Sequence, residues 1–145
     1  MFAAASVRLE QQPADALLSV CTITPSPVTF GSYDPLLASP VTASAPVTIS
    51  CTLGLLVSAT VTLGTGGSGT FFPRTMSGPS SLQYQLFTDA AHTIVWGDGT
   101  AGTATNSYSS LLGGNATFTV YGQIPAAQSV KVGSYSDTVV ETVDF

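Results

Sequence analysis

The closing stretch GSYSDTVVETVDF, Gly133 to Phe145, constrains the fold more than any other. From Asp137 onward its residues are mostly β-branched or aromatic, which is strand chemistry. Val139, Val143 and Phe145 share one parity and therefore one face. No return strand follows. An edge strand of this composition is an aggregation hazard, because its apolar row and its open N–H and C=O ladder invite another strand. Glu141 and Asp144 are poor protection: Glu141 falls on the apolar parity itself, which interrupts a row that otherwise reads as made for burial.

The other end of the chain carries a spare amphipathic strand. Ala3, Ala5, Val7 and Leu9 alternate with Ala4, Ser6, Arg8 and Glu10, and Gln11–Ala14, with Pro13, breaks the pattern. Two readings follow. The segment folds back and pairs within its own domain, or it pairs with the terminal strand of a neighbouring molecule. Head-to-tail exchange of the second kind gives polymers. The pattern alone does not choose between them.

Between these ends, strand-like runs alternate with Gly, Pro and Asn signals. Leu17–Thr24 carries Cys21, and Val28–Tyr33 follows Pro25 and Pro27. Val47, Ile49 and Cys51 share a face, as do Val57, Ala59, Val61 and Leu63. Leu82, Tyr84 and Leu86 form another inward row. Asn106–Ser110 is a weaker strand, and Ala116, Phe118, Val120 and Ile124 mark a stronger one. Ser39–Pro46 reads as a surface loop or edge strand, Gly64–Gly69 as a loop, and Asp98-Gly99 as a pair suited to a type I′ turn with Trp96 at the core margin. No segment shows a helical period. The chain is 44% apolar and only 8% charged, so it is folded rather than disordered. The expected fold is an all-β sandwich or barrel in one domain.

Charge and motifs exclude several functions. The net charge is −5, with Arg8, Arg74 and Lys131 as the only cations, so a nucleic-acid surface is not expected. No apolar run reaches the roughly 18 residues of a membrane span. MFAAAS at the start resembles the end of a signal peptide, which suggests an exported mature sequence with an added or retained Met1. In an exported chain Cys21 and Cys51 would form one disulfide, joining the first core strand to the second; in the cytosol they would be two buried thiols. Low charge and Ser/Thr-rich strands favour export. The single histidine, His92, reads as a turn or surface residue, since no GxSxG elbow accompanies it. Asp89 and Asp98 fall well short of the about six oxygen ligands of a calcium site, and no His/Cys cluster suits zinc. Neither glycine-rich loop precedes a helix that could hold a phosphate. The sequon at Asn115–Thr117 carries weight only in a eukaryotic source. No catalytic residue, metal or cofactor is expected, and the chain does not read as an enzyme.

Several stretches together resemble the spore coat protein U domain family, which includes the pilins of archaic chaperone–usher pili. They are CTITPSPVTFGSYDPL from Cys21, VTISCT around Cys51, RTM and LQYQLFTDAAHTIVWGDGT between Arg74 and Thr100, VYGQIPAAQ at Val120–Gln128, and the closing GSYSDTVVETVDF. The resemblance implies an incomplete immunoglobulin-like sandwich lacking its last strand. It implies that a periplasmic chaperone lends that strand and that the N-terminal extension of the next subunit replaces it in the fibre, after export through an outer-membrane usher. Ala3, Ala5, Val7 and Leu9 match the donor in position and alternation, and Val139, Val143 and Phe145 would line the acceptor edge. Residues 1–14 would then be the donor extension and linker, and 15–145 the pilin domain. Glu141 departs from the apolar row of the family's last strand.

The expected function is therefore that of a secreted pilin subunit, polymerising with copies of itself into an adhesive, biofilm-type surface filament. The alternatives are a surface coat protein and a self-complemented carbohydrate-binding module, for which Trp96, Tyr33 and Tyr108 would be the stacking candidates.

Overall fold

The computed structural model describes residues 3–11, 21–51, 57–110 and 114–144. These form β1 (Ala3–Gln11), β2 (Cys21–Thr24), β3 (Val28–Tyr33), β4 (Val41–Cys51), β5 (Val57–Leu63), β6 (Arg74–Ser77), β7 (Ser81–Phe87), β8 (Asn106–Ser110), β9 (Gly114–Ile124) and β10 (Gly133–Asp144). A 3-10 turn at Gly66–Ser68 is the only helical element among the described residues.

The strands make two facing layers. One runs β2–β4–β9–β7, antiparallel throughout. The other runs β8–β5–β10–β1–β3, with β1 parallel to β10 and antiparallel to β3. At one corner β6 pairs along β7 and meets β10 at Ser77↔Ser136, linking the layers. The fold is all-β and immunoglobulin-like, with one core between the layers.

Alternation decides which side chains fill that core. Ile49 and Val47 of β4, Ala59, Val61 and Leu63 of β5, Leu82, Tyr84 and Leu86 of β7, and Val120 and Ile124 of β9 all point inward and are buried. In β3 the alternation slips. Val28, Phe30 and Tyr33 are all buried although Tyr33 has the opposite parity. The cause is a bulge: the β1–β3 register shifts between Ala5 and Ser6, opposite Gly31 at φ +73°. A left-handed glycine inserts one residue and resets the parity. Where β3 crosses β9, Gly122 leaves no room for a side chain, since a Cβ there would stand 2.6 Å from Phe30 Cζ.

One open expectation is resolved and two need correction. Ser39–Pro46, read as a surface loop or an edge strand, is an edge strand from Val41: Val41–Pro46 is the first half of β4, paired with β9 on one side only. Edge pairing tolerates Pro46, which has no N–H to offer the free side. Asp98-Gly99 is not a type I′ pair, because only Gly99 has positive φ; the Asp98 carboxylate instead accepts from the Thr100 N–H at 2.9 Å. Trp96 is not marginal. It is fully buried and donates its indole N–H to Val61 O at 3.0 Å. Of the expected Leu17–Thr24 strand, Cys21–Thr24 is β2, and 17–20 lie outside the described residues.

Candidate functional site: a strand-filled slot

β1 fills a slot between β10 and β3. Its register along β10 runs from Ala3↔Gly133 to Gln11↔Glu141, so Gln11 continues the strand where a break was expected. Ala3, Ala5, Val7 and Leu9 point into the core and are 5% exposed or less. Ala4, Arg8 and Glu10 face solvent, with Arg8 and Glu10 in an exposed ion pair at 3.7 Å. The strand belongs to the same chain: the structure brings the N-terminal segment and the C-terminal strand together in cis. Without β1, the facing edges of β10 and β3 would have unpaired ladders, and Val28, Tyr33, Tyr135 and Val139 would lose their cover. The boundary at 14/15 lies outside the described residues.

On β10 the inward row is Tyr135, Asp137, Val139, Glu141 and Val143. Val139 is fully buried and Val143 is half-buried against the core. Phe145 lies outside the described residues. The strand's other edge is held by β5 through Glu141↔Leu63 to Asp144↔Thr60. Tyr135 anchors the first turn of the slot, donating to Lys131 O at 2.6 Å with Ser80 Oγ at 2.7 Å.

Two acids stand in this row in opposite circumstances. Asp137 is satisfied: it accepts from the Tyr84 hydroxyl at 2.6 Å, and from the backbone N–H of Gly67 and of Thr138 at 2.9 Å each. The Gly66 backbone lies so close that a Cβ there would collide with Asp137. Glu141 is fully buried, and neither of its carboxylate oxygens has a hydrogen-bond partner. Burial alone pushes its pKa up to about 7.

Behind Asp137 lies a buried cation that the sequence reading did not place. Arg74 is fully buried. It donates Nε and Nη2 to Gly64 O at 3.0 and 2.7 Å, Nη2 to Trp96 O at 2.7 Å, and Nη1 to Gln85 Oε1 at 2.8 Å. Its guanidinium also sits over the Phe71 ring, 5.2 Å from the centroid. Desolvation lowers its pKa to about 10, opposed by Tyr84, Asp137 and Asp98. One guanidinium thus ties the Gly64–Gly69 loop and the loop of Trp96 to the sheet that holds the slot. The available signal was its parity with Met76 at the start of a strand.

Cys21 and Cys51 face each other in register on β2 and β4 and form a disulfide, Cα–Cα 4.0 Å apart. Sequence order had made them neighbours as first and second core strands; in space β3, which lies between them in sequence, belongs to the other layer. His92 occupies a turn at φ +56° and packs edge-on against Phe87 and Tyr121. Trp96 and Tyr33 are fully buried, which removes them as stacking surfaces, and Tyr108 is packed against the core.

Sheet order, slot and occupant together define an all-β, immunoglobulin-like domain with one strand seated between β10 and β3. The Spore Coat Protein U domain matches residues 7–142 of this chain, which belongs to that family. Protein U of Myxococcus xanthus is 34% identical over 130 residues, covering 80% of this chain and 70% of that protein. A similar fold is found in the CsuC–CsuE chaperone–tip adhesion subunit pre-assembly complex from archaic chaperone–usher Csu pili of Acinetobacter baumannii. There the TM-score is 0.60 at 22% identity, over 86% of this chain and 39% of that one.

Proposed function

We propose that this chain is a secreted structural subunit that assembles by donor-strand complementation. In this reading residues 1–14 are the donor extension and linker, and 15–145 the receiving domain. The Ala3–Leu9 row of one subunit fills the β3–β10 slot of the next, along Val139, Val143 and Phe145. The observation that carries the reading is the slot: its occupant is a single N-terminal strand, β1, held between β10 and β3. The same strand from another copy can offer the same register and the same buried row. Each large apolar side chain so buried contributes roughly 1.5–3 kcal/mol, so a subunit with an empty slot is a poor species and needs a partner at every stage. The likeness to a chaperone–subunit complex supports a periplasmic chaperone as the temporary partner, with an outer-membrane usher and an adhesive filament at the cell surface as the destination.

The cis placement of β1 favours one second reading, a self-complemented coat or carbohydrate-binding module that works as a monomer. Gel filtration and negative-stain microscopy of concentrated protein separate the two. Heat-resistant filaments are the expected result. A protein that stays monomeric and folded at every concentration overturns the filament reading in favour of the second.

A further inference from the structure

Glu141 is the side chain of the slot whose chemistry opposes burial. It lies on the inward row of β10 between Val139 and Val143, fully buried, and neither carboxylate oxygen has a hydrogen-bond partner among the described residues. The whole sequence has three cationic side chains, and each is engaged or placed elsewhere. Arg8 faces solvent and pairs with Glu10. Arg74 directs its donors to Gly64 O, Trp96 O and Gln85. Lys131 is exposed, just before the opposite end of β10. The elements around the acid add no compensating charge. β5, which flanks it through Leu63, has no titratable residue, and beyond it β8 has only the phenol of Tyr108. β1 stands Gln11 in register with Glu141 and turns Arg8 and Glu10 outward. In the facing layer β2 and β4 hold only the Cys21–Cys51 disulfide, Tyr84 of β7 donates to Asp137, and Tyr121 of β9 packs against His92. On β10 itself Asp137 has its own donors and Asp144 is exposed.

The two strands that border Glu141 are held unequally. β5 is paired on both edges, to β10 and to β8. β1 is paired with β3 only as far as Val7↔Val28, whereas its register with β10 continues to Gln11↔Glu141. From Arg8 to Gln11 the strand is therefore held on one edge, by β10, and this singly held end borders the buried acid. We propose that Glu141 is a pH-dependent latch on β1: as the neutral acid it lets the Arg8–Gln11 end close on β10, and its ionisation frees that end first, so that β1 is exchanged slowly in mild acid and rapidly above neutral pH. This rests on the donor-strand reading and adds the condition that controls it. A carboxylate in an apolar interior with no counter-charge is strongly disfavoured, so ionisation requires water to reach it. The segment with the fewest pairings opens at the least cost, and that segment is the end of β1. Burial raises the Glu141 pKa from 4.5 to about 7. The latch is therefore fully closed below the ordinary value and loosens as pH rises towards 7.

The test uses the folded full chain with its disulfide intact, mixed with an excess of a labelled nine-residue peptide of the Ala3–Gln11 sequence. The rate at which the peptide replaces β1 is read by fluorescence polarisation at a series of pH values from 5 to 8. In the parent the rate should rise roughly tenfold or more across that range, most of it below pH 7. Glu141→Gln keeps the size and polarity of the side chain and Glu141→Leu removes the polarity. Neither can ionise, so in either variant that folds the rate should be level with pH. A parent rate that is level with pH, or the same rise in the variants, overturns the latch and leaves the donor-strand reading standing. Uptake of the peptide at no pH, by parent or variants, overturns the donor-strand reading and the latch with it.

Discussion

Asp137 and Glu141 occupy the same face of one strand, and only their neighbours separate their behaviour. Burial raises the Glu141 pKa from an ordinary 4.5 to about 7. The folded state therefore binds its proton more tightly than the unfolded state does. Stability is greatest below the ordinary value and declines as pH rises through 4.5 towards 7. The shift corresponds to at most about 3 kcal/mol. Asp89 and Asp98 act oppositely: hydrogen bonds from Thr93 and Ile94, and from Thr100, hold their pKa values down, so their contribution is lost only in stronger acid. Thermal unfolding followed between pH 5 and 8 should show a melting temperature that falls as pH rises, and Glu141→Val should flatten that slope and raise the midpoint at pH 8. A parent whose midpoint is level across this range contradicts the assignment. Arg74 is the opposite case of a satisfied buried charge. Arg74→Met keeps much of the volume but strips Gly64 O and Trp96 O of their donors. A loss of about 3 kcal/mol in denaturant unfolding is expected, and a loss under 1 kcal/mol would mean that water replaces the guanidinium.

At the scale of elements, the disulfide ties β2 to the edge of β4. β2 is four residues long and pairs only with β4 in its sheet, so it depends on this link more than longer strands would. Cys21 and Cys51 are 30 residues apart, and closing such a loop in the unfolded chain stabilises by roughly 3.5 kcal/mol on the chain-entropy account. The Cys21→Ser/Cys51→Ser protein should lose stability of that order, with earliest hydrogen exchange in β2; unchanged exchange there would refute the dependence. The start of β3 was legible in the sequence, because Pro27 directly precedes Val28. The alternating rows of β5, β7 and β9 were legible for a different reason: one face is buried and the period is two. Other features follow from tertiary context. Val41–Pro46 could be read as a loop or as an edge strand because Ser and Pro have low strand propensity and an edge position accepts both; its pairing with β9 decides for the strand. The burial of Trp96 depends on Val61 O, a partner 35 residues away. The inward row on β1 was legible residue by residue, whereas its attachment to the same chain was not, since pairing in cis and in trans demand one and the same pattern.

For the whole molecule the slot poses a choice between closing on itself and growing. The contacts of β1 are the same in either case, so their energies largely cancel between the closed monomer and the polymer. What differs is the entropy of joining copies, which favours the monomer on dilution, and any defect particular to closure, which favours the polymer on concentration. Val7 and Leu9 bury the most apolar area of the donor row and must dominate its affinity. Leu9→Asp sets a carboxylate in an apolar slot at a cost of several kcal/mol unless it protonates, while the slot of the same molecule, built from β3 and β10, is untouched. Such a variant can receive a strand but cannot give one. Mixed as a minor component with parent protein and refolded, it should add to a growing filament by its slot and stop growth at its failed donor end. Filaments measured by negative-stain microscopy should then shorten in proportion to the variant fraction, while the variant alone forms none. If β1 serves only its own domain, the variant merely unfolds and the parent is indifferent to it. Unchanged length distributions across variant fractions would therefore exclude exchange between molecules, and shortening at low fractions would exclude a purely closed monomer.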